Sequence, residues 1–446
     1  HGIDIFLVGG SHVSQNSTAQ CVALLKSLGA PNITLFPGNE LHVVDQADAI
    51  LFMSLISGRN PEFLIAKQVA AAPWVKKSGM EAIPTGYMLV ESGKLTSALY
   101  ISGTLPLPNN KPDIAAATAM RLGKHIYCQK PLTQTVHEAR ILRQLARDGK
   151  LATQMGNQGH TTEGIRLVKE WYESGVLGEV REVHAWFDGP NFVKGPYFSI
   201  PATFPAPTLA PPASLDWDLW LGVAPPRPYR PELVPSFWRG FTDYGTGSLG
   251  DMGCHQLDAP FYALDLGSPS SVEAATTKQY PKTFPASTAV TWKFPARGGR
   301  GPVEMKWFDG TMKPPLPVPG FKLSESGGSL FYGTKGIMSV TSHSGSCRLL
   351  PEERMQAMAG ALPSKSIPRI VGGPFPEWAA AIRGGPKCGS NFDYAAGLTE
   401  VVLLGVAAQR TQARLEWDAA SSRFPNRPDC DVFAGPGYDY RAGWGV

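Results

Sequence analysis

The order of strand-like and helix-like segments changes near residue 161, and this change constrains the fold more than any other feature of the sequence. Before it, short apolar runs alternate with helical stretches. Predicted strands at residues 3–8, 33–36, 49–53, 81–84, 125–128 and 152–155 alternate with predicted helices at 17–28, 62–71, 114–122 and 135–147. Such βαβα alternation predicts a parallel α/β sheet or barrel.

After residue 161 the sequence is dominated by longer β-rich runs. A predicted helix at 161–174 leads to strands at 179–187, 271–277, 289–294, 303–308 and 337–340, with later helices near 375–382 and 394–407. Strands grouped in this way, with helices to one side, predict an α+β domain with a large open, mainly antiparallel sheet. The expected fold class is therefore α/β plus α+β, with a parallel sheet or barrel first; the family resemblances below make this first part incomplete and TIM-barrel-like or Rossmann-like.

Composition removes several classes of protein from consideration. The 446 residues carry 41 Lys+Arg against 37 Asp+Glu without long charge runs, so neither nucleic-acid binding nor a polybasic membrane arm is indicated. With 43% hydrophobic residues a large core can form, but no apolar run approaches the ~18 residues of a membrane span. The six cysteines include no C-x-x-C pair, which argues against a zinc site. The chain opens at His1 inside a predicted strand, so we expect a truncated start.

A glycine-rich segment at residues 245–258 carries the strongest candidate for catalysis. Residues 245–250 match G-x-G-x-x-G, but aromatic and polar residues precede them where a dinucleotide fingerprint needs a buried strand. The glycines instead favour a turn into a helix that begins near Asp251, with Asp251, His255 and Asp258 on one face. A carboxylate beside an imidazole raises its basicity, as a general base requires. An N-cap aspartate with a core histidine is the alternative.

Polar residues also follow two predicted strands. Gln129, Lys130 and Pro131 come directly after the strand at 125–128, and residues 154–160 close the next one with amide and imidazole groups. Ligands of parallel sheets bind at the carboxyl ends of strands, so Lys130 is well placed to meet substrate or cofactor. A surface lysine before a loop proline is the alternative.

A segment rich in proline and tryptophan, residues 201–235, interrupts the β-rich part. Proline cannot donate to a strand ladder, so this segment is an excursion from the sheet. Because tryptophans are costly to expose, we expect a packed loop rather than a linker.

Several runs of the sequence resemble one enzyme family. They are LGKHIYCQKPL at 122–132, QMGNQGH at 154–160, LDWDLWLG at 215–222, WRG at 238–240, TGSLGDMGCHQLD at 246–258 and SNFDYAAGL at 390–398. In this order they resemble the Gfo/Idh/MocA oxidoreductases, and most of all the bacterial group with a C-terminal extension. The resemblance covers about residues 115–446.

This resemblance implies hydride transfer between NAD or NADP and a carbon that bears a sugar or cyclitol hydroxyl. It makes Lys130 a substrate-contacting and nicotinamide-contacting residue, and His255 the group that moves the proton, with Asp251 orienting it. Gln129 stands where the family's E-K-P motif has glutamate. The implied cofactor contacts are Gln129, Lys130, Pro131, Asn157 and Gln158, the implied substrate contacts are Trp217, Trp238, Arg239 and Asp258, and no metal is implied.

The first quarter of the chain resembles a different family. The matching runs are FLVGGS at 6–11, LFPGN at 35–39, AILFMSLISGRNP at 49–61, AAAPWVKKSG at 70–79, IPTGYMLVE at 83–91 and PLPNNKPDIAAAT at 106–118. They resemble the geranylgeranylglyceryl phosphate synthases, TIM barrels that alkylate glycerol 1-phosphate with a prenyl diphosphate and use magnesium. By this resemblance Tyr87 and Glu91 contact glycerol phosphate and Ser11 lies near the metal. Only the middle of such a barrel is expected here.

The two likenesses predict three parts. Residues 1–113 are a barrel fragment, 114–160 the C-terminal half of a Rossmann-type NAD(P)-binding domain, and 161–446 a substrate and oligomerisation domain. We expect a chimera, and favour an assembly artefact over an evolved fusion, because a partial barrel leaves unpaired strand edges. Alternatively, the first βα units replace the missing Rossmann strands in one sheet.

The expected function is that of an NAD(P)-dependent oxidoreductase acting on a small sugar-like molecule, impaired by the missing pyrophosphate turn. The alternatives are a prenyltransferase in residues 1–113, an NAD-dependent glycosidase that uses the same Lys and His, and a non-catalytic binding module. We further expect a homo-oligomer that forms through the C-terminal sheet and, by default, a cytoplasmic location. The substrate and the choice between NAD and NADP stay open.

Overall fold

The structure is a computed structural model, and it describes most of the chain. The described residues are 5–10, 15–37, 42–55, 67–87, 112–188, 209–222, 224–234, 237–277, 279 and 282–436. Ser11 and Glu91 lie outside these ranges, and Tyr87 is described in its backbone but not in its side chain.

The first sheet consists of four parallel strands that lie side by side in chain order. Its elements are β1 (Phe6–Gly10), α1 (Gln15–Ser27), β2 (Ile33–Pro37), β3 (Ala49–Leu55), α2 (Lys67–Ser78) and β4 (Glu81–Tyr87). In a Rossmann fold the strand order reverses at the first strand, whereas here each described strand pairs with the next along the chain. This order is that of successive βα units in a barrel.

The core of this sheet is built by β-branched and aliphatic side chains. Val22, Ile33, Leu35, Ile50 and Val75 are all at most 7% exposed and form a cluster of their own. Their burial between the sheet and α1 and α2 stabilises the four-stranded unit separately from the cluster that holds the rest of the chain.

A second parallel pair lies apart from the first sheet. Its elements are α3 (Pro112–Arg121), β5 (Ile126–Cys128), α4 (Val136–Asp148) and β6 (Thr153–Met155). Within the described residues β5 and β6 pair only with each other. The alternative in which the first strands extend this sheet is therefore wrong, since β1–β4 make a sheet of their own.

The C-terminal sheet has eight strands in the order β13-β12-β11-β7-β10-β9-β8-β14. All its neighbours are antiparallel except β7 and β10. The strands are β7 (Val180–Phe187), β8 (Ser271–Thr276), β9 (Thr288–Phe294), β10 (Val303–Asp309), β11 (Gly328–Gly333), β12 (Gly336–Thr341), β13 (Cys347–Leu350) and β14 (Leu415–Glu416). The predicted fold class, α/β plus α+β, is confirmed.

The helices of the C-terminal part lie around this sheet. They are α5 (Glu163–Glu173), α6 (Trp217–Leu221), α7 (Gly247–Gln256), α8 (Asp258–Ala263), α9 (Glu352–Ala357), α10 (Pro374–Ile382) and α11 (Phe392–Thr411). Helix α11 packs on the sheet through Trp292 of β9, whose indole nitrogen donates to the carbonyl oxygen of Val401 at 2.9 Å. Of the described helices, none is long and apolar enough to cross a membrane.

Gly405 allows this close packing of α11. A Cβ built at Gly405 would overlap the indole of Trp292 and lie 2.7 Å from Cδ2 of Leu249. We therefore expect Gly405→Ala to lower the free energy of unfolding by about 1–3 kcal/mol through overpacking. Gly360→Ala is the control, because no atom lies within 4 Å of its added Cβ. Urea unfolding followed by tryptophan fluorescence measures both, and equal stabilities would contradict the packing argument.

Candidate active site

Lys130 and Asp251 join the two halves of the candidate site. Lys130 lies two residues beyond β5, and its ammonium donates to Oδ1 of Asp251 at 2.7 Å and to the backbone carbonyl oxygen of Asp251 at 2.6 Å. The side chains are 18% and 12% exposed, so the pair is largely shielded from water. The contact holds the carboxyl end of the β5–β6 pair against α7.

Arg239 and Trp238 border the same carboxylate. Nε of Arg239 lies 3.7 Å from Oδ1 of Asp251, and its guanidinium lies over the ring of Trp238 at 4.6 Å. Asp251 is thus placed between two cations. The predicted substrate residues Trp238 and Arg239 therefore do lie beside Lys130 and Asp251.

His255 lies one helical turn after Asp251 and is 3% exposed. Burial holds its pKa well below the ordinary value of 6.5, and the charge of Lys130 and the neighbouring His343 lower it further. Within the described part of the chain, Nδ1 of His255 has no hydrogen-bond partner. The imidazole is therefore neutral near pH 7 and able to accept a proton.

The expected pairing of Asp251 with His255 is replaced by a different one. Asp251 accepts both of its short hydrogen bonds from Lys130, and the imidazole of His255 stacks against His343 with ring centroids 4.2 Å apart. A cationic ammonium is a stronger partner for a carboxylate than a neutral imidazole, so the lysine takes this position.

His343 belongs to the site although the sequence interpretation did not include it. It lies in the 3₁₀ turn Ser342–Ser344 after β12, and its Nδ1 is 2.8 Å from Oγ of Ser342, which also accepts from Nε2 of Gln256 at 2.7 Å. Burial lowers the pKa of His343, and the charge of Lys130 adds to the effect. A histidine three residues beyond the predicted strand at 337–340 was the available signal.

Asp258 serves a buried network rather than the substrate side. The helix predicted to run through Asp251 and Asp258 is in fact two: α7 begins earlier, at Gly247, and ends at Gln256, and α8 starts at Asp258. The carboxylate of Asp258, 1% exposed, accepts from Nδ2 of Asn157 at 3.0 Å, Nδ1 of His160 at 2.9 Å and the hydroxyl of Tyr394 at 2.5 Å. The predicted single helix is therefore wrong: Asp251 and His255 share α7, whereas Asp258 belongs to α8.

The side chain of Asn157 is also engaged in hydrogen bonds of this buried network. Its amide donates to Asp258, and its carbonyl oxygen accepts from Oγ of Ser390 at 2.5 Å. With both ends engaged and only 1% exposure, Asn157 offers nothing to a cofactor. Gln129 and Gln158, by contrast, are exposed at the carboxyl ends of β5 and β6.

The Trp-rich excursion is a packed unit in its described part. Trp217 stacks on Trp220 with centroids 4.7 Å apart and donates through its indole to the carbonyl oxygen of Arg227 at 2.8 Å. Both rings belong to a cluster with Phe241 and Tyr244, and Trp238 packs against it. The predicted packed loop is confirmed there, because Trp217 and Trp238 both pack against the cluster that contains Trp220.

The described residues contain only some of the features of a dinucleotide-binding site. Gln129, Lys130, Pro131 and Gln158 lie just beyond the carboxyl ends of β5 and β6, the edge at which parallel sheets bind ligands. The G-x-G-x-x-G match at residues 245–250 follows the 3₁₀ turn Phe237–Gly240 rather than a strand, and residues 247–250 lie within α7, so it is not a dinucleotide fingerprint. No group of three His, Cys, Asp or Glu residues in the described ranges could hold a metal ion.

The burial of neutral His255 predicts a pH dependence of stability. Its folded pKa lies below the unfolded value of 6.5, so the unfolded chain binds the proton more readily and stability falls as the pH drops below 6.5. At pH 5.5 this loss is on the order of 1 kcal/mol for a histidine that stays neutral in the folded chain. Replacing His255 by Gln removes that loss, whereas His137→Gln, at an exposed position, leaves it unchanged. Urea unfolding at pH 7.5 and 5.5 measures both, and an unchanged pH dependence in His255→Gln would refute it.

Comparison with known families divides the chain. Residues 1–126 match the PcrB family, and residues 199–299 match the Gfo/Idh/MocA oxidoreductase family, C-terminal alpha/beta domain. The geranylgeranylglyceryl phosphate synthase of Spirosoma linguale is 54% identical over 118 residues, 26% of this chain and 47% of that enzyme. That of Chitinophaga pinensis is 44% identical over 144 residues, 30% of this chain and 57% of that enzyme. The chain spans about half the length of the curated relatives it matches.

Two dehydrogenases are among the solved structures to which the chain is similar. The WlbA dehydrogenase from Bordetella pertussis, in complex with NADH and UDP-GlcNAcA, has a TM-score of 0.46 and 11% identity, covering 94% of this chain and 99% of that one. Levoglucosan dehydrogenase, in complex with NADH and levoglucosan, has a TM-score of 0.45 and 15% identity, covering 93% and 98%. By sequence, residues 1–126 thus resemble the PcrB family and residues 199–299 the Gfo/Idh/MocA oxidoreductases, two families of enzymes.

Proposed function

We propose that the part of the chain after residue 112 carries an oxidoreductase site that acts on a hydroxyl of a sugar or cyclitol, with NAD or NADP as the hydride acceptor. The observation that carries the proposal is the position of Lys130. Its ammonium has three N–H donors, and Asp251 accepts two of them through Oδ1 and its backbone carbonyl oxygen. The third donor is left for the oxygen of a substrate hydroxyl.

Proton removal from that hydroxyl follows from the charges around it. A lysine ammonium that donates a hydrogen bond to the hydroxyl oxygen stabilises the negative charge that develops on this oxygen as the proton leaves. The neutral imidazole of His255, close enough to Lys130 for its pKa to be lowered by that charge, is the base that takes the proton. The bound cofactor would supply the acceptor for the hydride.

The wall beside the site fits a sugar. Trp238 presents an aromatic ring with the guanidinium of Arg239 over it, and the ring is supported by the Trp217 cluster. Aromatic faces pack against the apolar faces of pyranose rings, and a guanidinium donates to hydroxyl oxygens. A homo-oligomer through the eight-stranded sheet remains part of this proposal.

Lys130→Met is the direct test of the proposal. It removes the third donor and the charge, so kcat/KM for oxidation of a sugar should fall about 10²–10⁴-fold, as for loss of a positioned catalytic group. NADH formation over a panel of sugars and cyclitols measures it, with Lys322→Met, exposed on the surface, as the control. Equal activity of both variants would refute the role of Lys130. Release of an aglycone with no net NADH would instead identify an NAD-dependent glycosidase.

A second candidate function, prenyl transfer, concerns residues 1–126. It is favoured by the 54% identity to a synthase and by the sequential parallel order of β1–β4. Tyr87, the last residue of β4, and Glu91 would bind glycerol phosphate, and Ser11 would lie near the metal.

Glycerol 1-phosphate, a prenyl diphosphate and Mg²⁺ form the assay for this second candidate. If it is correct, product forms and Tyr87→Phe lowers the rate about tenfold, the effect of one lost hydrogen bond to a charged group. Tyr127→Phe, in the other part of the chain, should leave the rate unchanged. The absence of product would exclude this candidate.

A further inference from the structure

A cavity of 340 Å³ lies between the start of α4, the segment that leads into α7, and the second half of α11. Its floor is apolar and includes Leu403, Val406 and Ala407 of α11. Phe284 and Phe433 close it on other sides. The volume is within the range of small-molecule pockets, which are about 300–1,000 Å³. Lys130, Asp251 and His255 do not line it, so this cavity is separate from the candidate active site.

Arg410 is the unusual member of the lining. Its guanidinium lies 4.6 Å from the ring of Phe433, yet no described residue accepts a hydrogen bond or forms an ion pair with it. A guanidinium has five N–H donors in a planar fork that matches a carboxylate or phosphate. Its donors are therefore available to a bound anion.

A second cation lines the cavity in addition to Arg410. Lys282 also lines it and pairs at 3.1 Å with Asp243, the one carboxylate among the described lining residues. Asp243 is shared with Arg227, whose Nη1 lies 3.4 Å away. Arg227 does not line the cavity, so the one carboxylate of the described lining stands against two lining cations, Arg410 and Lys282, which leaves an excess of positive charge over an apolar floor.

We propose that this cavity binds a small organic anion. Its carboxylate or phosphate would lie against Arg410 and Lys282, and its apolar body, about the size of a phenyl ring, would lie on Val406 and Ala407. The combination of an apolar floor and a few placed polar groups is the general construction of a ligand pocket. The proposal does not depend on the oxidoreductase function.

Isothermal titration calorimetry on the full chain tests this proposal. The probes are 4-phenylbutyrate, phenyl phosphate and the neutral 4-phenylbutanamide. We expect at least one anion to bind about tenfold or more tightly than the amide, because only the anion satisfies the guanidinium. Arg410→Gln should weaken the anion at least tenfold, and Arg410→Lys should retain part of the affinity. Arg414→Gln, an exposed position just beyond α11, removes the same charge and is the control.

The outcomes separate clearly. Binding of the anion that Arg410→Gln abolishes and Arg414→Gln preserves supports the site, and the stronger of the two anions identifies carboxylate or phosphate as the ligand class. Equal binding of the amide, equal binding by Arg410→Gln, or no binding of either anion at 10 mM, about the weakest affinity calorimetry can detect, overturns it. If Arg410→Gln does not fold, Arg410→Lys and the salt dependence of wild-type binding decide the question.

Discussion

The carboxylate of Asp258 is the constraint on which the candidate site depends. A buried carboxylate is costly unless hydrogen bonds satisfy it, and here donors come from Asn157, His160 and Tyr394. These donors belong to the β6 loop, the 3₁₀ turn after it and α11. Because the three donors meet at this one carboxylate, Asp258 fixes the start of α8. The position of α8 in turn sets the direction in which α7 presents Asp251 and His255.

In the candidate site the carboxylate of Asp251 balances the positive charges of two neighbouring side chains. Asp251 is 2.7 Å from Lys130 and 3.7 Å from Arg239, so one carboxylate holds two cations that would otherwise repel each other. The imidazole behind them stays neutral because it is buried and close to a positive charge. In the proposed function, Lys130 donates to the substrate hydroxyl and the neutral imidazole of His255 is the base that takes its proton.

The sequence predicted strands and helices better than it predicted which side chains contact each other. Periodicity located most strands and helices, but β11 was missed because glycines at both ends mask its apolar centre, and β14 has only two residues. Helical spacing suggested that Asp251 binds His255, whereas Lys130, 121 residues away, takes that carboxylate. His343 was missed for the same reason, since only the packing of the 3₁₀ turn Ser342–Ser344 against α7 brings it to His255. Sheet order likewise depends on contacts that no local pattern encodes.

The single parallel pair of the large sheet has an evolutionary consequence. Strand β10 pairs in parallel with β7, and β9 and β8 follow β10 in the same sheet. The chain between β7 and β8 therefore begins and ends at strands of one sheet. That excursion contains Trp238, Arg239 and the helix with Asp251, while the register of the sheet is set by other residues. Segments of this kind can change in length and composition at little cost to the framework. Under the proposed function, exchange of residues 209–240 would replace Trp238 and Arg239 beside the site and leave the strands of the sheet unchanged.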